Sequence, residues 1–172
     1  SSSEVMRLWC DNGKLERARG EFETAALLAS LIGHKRLESV VFCNLAIVLE
    51  SLGDVDGAIK KYHRAVGLAD ELGDHRSAGQ FRGYQGLLYA RVGRISEGRD
   101  SLNVGEELLT NVSDDLSLAL LLCARAETEV IAGDFDAARV AEAMATALAV
   151  KTGAGQESEL GRSLYRVSDR LN

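Results

Sequence analysis

The chain has 172 residues, 46% apolar and 27% charged, with 26 acidic against 20 basic side chains and a formal net charge of −6. That balance argues against non-specific nucleic-acid binding, which needs a basic face. No apolar run is long enough to span a bilayer, and no signal-peptide pattern opens the chain.

In chain order, helices are expected near 4–12 and 15–32, with Gly13 between them. The next segment carries Val41, Leu45, Val48 and Leu52 at helical spacing, which predicts a helix over 35–52. Gly53-Asp54 ends it, because glycine suits a left-handed C-cap and aspartate can receive the free N–H groups of a following helix. Residues 55–72 are again helical, with Ala58, Tyr62, Ala65 and Ala69 on one face, and Gly73-Asp74 closes them. The same reading gives helices near 75–92, 95–112, 115–132 and 135–151. The last, near 157–170, shows a narrow stripe of Leu160, Leu164, Val167 and Leu171, with Arg162, Arg166, Asp169 and Arg170 on other faces. A polar outer side of this kind suits a terminal cap, or a handle for self-association. No period-two alternation bounded by turns is present, so no strand is predicted, and with no proline no helix interior is interrupted.

These helices repeat. Gly13, Gly53, Gly93 and Gly133 stand 40 residues apart, and other columns keep the same register. Ala18, Ala58, Gly98 and Ala138 form one, Ala25, Ala65, Gly105 and Ala145 a second, and Leu28, Leu68, Leu108 and Leu148 a third. The two small columns lie two helical turns apart, so one face can approach a neighbouring helix closely. A period of this length predicts stacked helix pairs whose core is shared between neighbours.

The second unit has Phe42, Leu45-Ala46 and Leu49 in its first helix and Ala58, Tyr62 and Ala65 in its second. On these residues it resembles a tetratricopeptide repeat, and the other units keep the pattern in part. The period of 40 residues exceeds that family's usual value of about 34, and the proline that often closes the repeat is missing. Longer repeats ending in Leu-Gly-Asp are similar to those of kinesin light chain, of Pins-type polarity scaffolds, and of helical domains fused to bacterial kinases and transcription activators. The resemblance implies an all-α fold: a right-handed superhelical α-solenoid of antiparallel helix pairs. A single array over 1–172 would hold repeats at approximately 1–33, 34–73, 74–113 and 114–153 and a capping helix at 154–172.

It also implies a groove lined by the first helix of each pair, where extended peptides lie. Projecting that stripe gives Arg7 in the first unit and Arg36, Val40, Cys43, Ile47 and Glu50 in the second. The third contributes Arg76, Gln80, Gly83 and Leu87, and the fourth Leu120, Cys123 and Glu127. Asn44 and Tyr84 are equivalent positions beside the stripe, and in related scaffolds an asparagine there holds a peptide backbone. Arg36 and Arg76, one period apart, read either as guanidinium forks for carboxylates or as ordinary charge at exposed helix starts.

Two units depart from the pattern. The third holds Gly83, Gly86, Gly98 and Gly105 inside helices, read either as close helix packing or as a soft joint. The fourth puts Arg125, Glu129 and Glu142 where the second has Leu45, Leu49 and Tyr62. The expectation is an ion-pair cluster among these three, since an unpaired buried charge is costly. The alternative is a shifted helix face, with Leu122 and Val130 supplying the core.

Cys10, Cys43 and Cys123 are odd in number and far apart, as in reduced thiols of a cytoplasmic protein. No CxxC and no histidine at ligand spacing occurs, so neither metal nor cofactor is expected. Phosphate-loop, dinucleotide and nucleophile-elbow motifs are also missing, and no enzyme is expected. The expected function is a protein–protein interaction module that binds a partly apolar segment with an acidic group near Arg36 and Arg76, without nucleic acid or membrane. The alternatives are an effector-sensing regulatory domain of a bacterial kinase or transcription regulator, and a homo-oligomerisation module. The chain opens Ser-Ser-Ser within its first helix and is expected to be a fragment of a longer protein.

Overall fold

A computed structural model describes the backbone of residues 2–172 and the side chains of residues 11–172. The described chain is all helical, with no strand: α1 (Ser2–Leu31), α2 (Lys35–Ser51), α3 (Val55–Glu71), α4 (His75–Arg91), α5 (Ile95–Asn111), α6 (Asp115–Ala132), α7 (Phe135–Thr152) and α8 (Glu159–Leu171).

One turn recurs between them. Gly33, Gly53, Gly73, Gly93, Gly133 and Gly153 take positive φ, and Ser113 takes it at the same 20-residue step (φ 56°). The amide after most of them bonds back into the finished helix, as Asp54 N does to Leu49 O at 2.9 Å. The next side chain then caps the new helix: Asp54 Oδ1 accepts from Gly57 N at 2.9 Å, Asp74 from Ser77 N at 3.1 Å, Asp114 from Ser117 N at 3.0 Å and Asp134 from Ala137 N at 3.1 Å. His34 does the same through Nδ1, from Leu37 N at 3.1 Å. Arg94 has no acceptor to offer. Its guanidinium donates to Glu97 instead, holding that carboxyl below its ordinary value, and lies over the Tyr89 ring.

The start of the chain differs from expectation. Gly13 does not end a helix, and the segments near 4–12 and 15–32 are one helix, α1. Lys14 follows Gly13 where aspartate follows Gly53 and Gly133. A helical glycine costs only roughly 0.5–1 kcal/mol, too little to break a helix with no cap waiting beyond it.

The helices form two compact units, Ser1–Gly73 and Asp74–Asn172. In the first, α1 packs on α2 and α2 on α3. Its core draws on Ala26, Ala29, Val41, Leu45, Val48, Ala58, Tyr62 and Ala65. Leu28, which shares a sequence column with the buried Leu68, is 56% exposed, because among the described residues α1 packs on α2 alone. In the second unit each helix packs on the next and two also on the next but one: α4 on α5 and α6, α6 on α7 and α8. This is the contact pattern of a solenoid. The far end is a cluster of α6, α7 and α8 side chains, in which Leu160, Val167 and Leu171 of α8 are buried and Leu164 half-buried.

The glycines of the third unit are a packing device. A Cβ on Gly98 would stand 2.6 Å from Gly86 O, and one on Gly105 would stand 3.0 Å from Gly79 O. The two backbones therefore touch at two levels of α4 and α5. Gly83 is different: its Cβ would meet only Leu121 side-chain and Cα atoms at 3.6–3.7 Å, an ordinary contact.

Arg125 and Glu129 find partners other than each other, and Glu142 pairs with neither. Arg125 Nε donates to Glu106 Oε2 at 3.0 Å and its Nη2 to Asn103 Oδ1 at 2.8 Å, while Glu129 receives a two-pronged bond from Arg99 at 3.0 and 2.6 Å. The expected cluster is replaced by two bridges to α5, because α5 rather than α7 lies on that side of α6. Leu122 is fully buried and Val130 packs beside it, as the shifted-face alternative requires.

Urea unfolding checks these assignments. Gly83→Ala is expected to stabilise by roughly 0.5–1 kcal/mol, and Gly98→Ala to destabilise by roughly 1–3 kcal/mol, since backbone must move. Equal shifts of the two midpoints would contradict the glycine contacts. Ser113→Gly should stabilise by about 1 kcal/mol through relief of the left-handed serine, and a loss of stability there would show that the Ser113 side chain matters more than its φ.

Candidate functional site

The stripe predicted from sequence divides by burial. Arg36, Val40, Arg76 and Tyr84 are exposed, and Asn44, Ile47, Glu50, Gln80, Leu87 and Leu120 are half-buried. Cys43, Gly83, Cys123 and Glu127 are buried. Arg7 lies outside the residues whose side chains are described, as does Cys10.

Three of the buried four, Cys43, Cys123 and Glu127, are closed to contact, whereas Gly83 lines a cavity between α4 and α6. Cys43 and Cys123 are each only 3% exposed. Burial pushes the Cys43 thiol up to about 12, and burial, with the nearby Glu127 charge, does the same for Cys123. A molecule in solution cannot reach either sulfur without rearrangement. Glu127 is tied to Arg91 at 3.2 Å and to Arg170 at 3.9 Å. A buried carboxylate needs such partners, so it joins α4, α6 and α8 instead of awaiting a ligand. Arg76 is also engaged: its Nε is 3.0 Å from Asp114 Oδ2. That carboxylate accepts from the Ser117 hydroxyl at 2.8 Å, and Ser117 Oγ accepts from Gln80 Nε2 at 2.6 Å. The arginine thus anchors a polar chain across the α4–α6 seam.

Beside this chain a cavity of about 270 Å³ opens among α4, α6 and the first turn of α8. Gln80, Gly83 and Tyr84 line it from α4, Leu116, Ser117, Leu120, Leu121 and Ala124 from α6, and Glu159 from α8. Helical spacing explains the set. Gln80 and Tyr84 on α4, and Leu116 and Leu120 on α6, are each four residues apart on one side of their helix.

Leu116 and Tyr84 are 48% and 39% exposed, so the cavity opens to solvent. Its floor is apolar, and Glu159 is the one charged residue in its lining. Glu159 accepts from the Tyr84 hydroxyl at 3.4 Å and forms no ion pair among the described residues. Gln80, Gly83, Tyr84 and Leu120 were legible from the repeat stripe. Glu159 was not, because it stands 75 residues from Tyr84 in a helix outside the repeat. Among the described residues, no group of three His, Cys, Asp or Glu side chains is placed to hold a metal ion, and no helix is long and apolar enough to cross a membrane.

No protein-family profile matches the chain, and no curated protein does. Among solved structures it is similar in fold to BtubC (BKLC) from P. vanneervenii, with a TM-score of 0.75 and 15% identity, over 98% of this chain and 72% of that one. At that identity the likeness shows the fold alone: an all-α stack of helical hairpins.

Thiol chemistry tests the burial. In a Cys10→Ser background, Cys43 and Cys123 are expected to react with an aromatic disulfide reagent at least about 100-fold more slowly in the folded protein than in urea. Fast labelling of the folded protein would contradict their placement. Each thiol holds its proton more tightly folded than unfolded. Its contribution to stability is therefore full below about pH 9 and is lost as pH rises towards about 12.

Proposed function

We propose that this chain is a protein-binding module of the tetratricopeptide kind, and that the α4–α6–α8 cavity receives one apolar side chain of a partner segment. The observation that carries this reading is the cavity itself: an apolar floor, a half-exposed Tyr84 at the mouth and a carboxylate at the rim. Concave, mostly apolar sites with a few placed polar groups are where ligands are held. The charge preference differs from that expected at sequence level. Arg76 is paired with Asp114, whereas Glu159 has no cation among the described residues. The favoured segment therefore carries a lysine or arginine beside its apolar anchor, not an acid.

A peptide array read by fluorescence polarisation tests this, using leucine- or phenylalanine-centred peptides flanked by lysine, by glutamine or by aspartate. Lysine-flanked peptides should bind best. Leu120→Arg should weaken them by ~30-fold, as for loss of a central anchor, and Glu159→Lys should reverse the order of lysine and aspartate. Binding that ignores both substitutions would remove the cavity from the function.

A further inference from the structure

The outer face of α7 departs from the repeat that it belongs to. At equivalent positions α3 has Lys60, His63, Arg64, Gly67 and Asp70, and α5 has Asp100, Asn103, Val104, Glu107 and Thr110. There α7 has Val140, Ala143, Met144, Ala147 and Val150. Their spacing places these five on one side of the helix. Val140 is 61%, Met144 45% and Val150 79% exposed, and both alanines are exposed. The opposite side, Ala138, Ala141, Ala145 and Ala149, is the one buried in the α6–α7–α8 core. Charge brackets the stripe. Asp136 stands in the first turn with no ion pair among the described residues, and Lys151 stands in the last turn, 68% exposed although 2.6 Å from Asp115.

We propose that this stripe is a dimer interface, in which α7 of two copies pack antiparallel about a two-fold axis passing between Ala143 and Met144. Residues equidistant from that axis then face one another. Val140 of each copy lies over Ala147 of the other, large against small. Asp136 lies opposite Lys151, acid against base, at both ends. Met144 lies beside the axis next to its own counterpart. A surface that complements itself under a two-fold rotation is what an isologous dimer requires, and the opposite charges at its two ends favour the antiparallel arrangement over the parallel one. Four turns of one helix bury less than the ~800 Å² per partner of a stable complex, so the dimer is weak, with Kd of roughly 10–100 μM. The interface lies away from the cavity and does not depend on what the cavity binds.

Sedimentation equilibrium from about 5 to about 500 μM tests it, with the wild type, Met144→Glu, Met144→Arg and an equimolar mixture of the two variants. Arginine stands at the equivalent position in α3, as Arg64, so the fold tolerates it there, and circular dichroism checks the folding of each variant. The wild type should dimerise reversibly. Each variant alone should be monomeric, with Kd raised at least ~10-fold by like charges beside the axis, and the mixture should recover the dimer. A wild type that stays monomeric overturns the proposal and leaves the face to a different partner. Variants that still dimerise alone also overturn it, and a mixture that stays monomeric overturns the two-fold axis between Ala143 and Met144.

Discussion

A left-handed residue every 20 positions sets the dimensions of this molecule. It stops each helix from α2 to α7 at 17 or 18 residues, and the side chain that follows usually caps the next. Helices of equal length, turned back by equal turns, present their faces at matching heights, so one small-residue column can serve every hairpin. Where the cap is missing, two outcomes occur. At Gly13-Lys14 the helix runs on as α1. At Gly93-Arg94 the turn survives, and there the backbones of α4 and α5 touch through paired glycines. A cap is worth about 1 kcal/mol, and close tertiary packing substitutes for it.

The same packing explains the polar residues within the stack. Glu127, Glu129 and Arg125 sit on α6, the helix with the most neighbours, and each finds its partner on a different helix: Arg91 of α4 and Arg170 of α8, Arg99 of α5, and Glu106 of α5. These partners follow from which helix lies on which side of α6. Glu127, and Arg76 through its bridge to Asp114, are likewise tied within the fold, while Glu159, outside the repeat, stands at the cavity rim.

Helix positions, turns, caps and the terminal α8 stripe were legible in the sequence because they depend on neighbours three, four or 20 residues away. The part of the cavity on α4 was legible for the same reason. The merging of the first two helices was not, since glycine permits a turn without requiring one. Nor were the partners of Arg125 and Glu129, because periodicity places residues on a face without saying which helix meets that face.

The sequence by itself determined that the chain is a stack of helix pairs with a fixed period. Local backbone preferences and a repeated apolar pattern suffice for that. Only the tertiary structure decided which polar groups pair with one another and which stand at the cavity rim. That depends on contacts between residues far apart in the chain, such as Arg125 with Asn103 at 22 positions and Tyr84 with Glu159 at 75. Their meeting is fixed by how helices pack and not by any spacing along the chain.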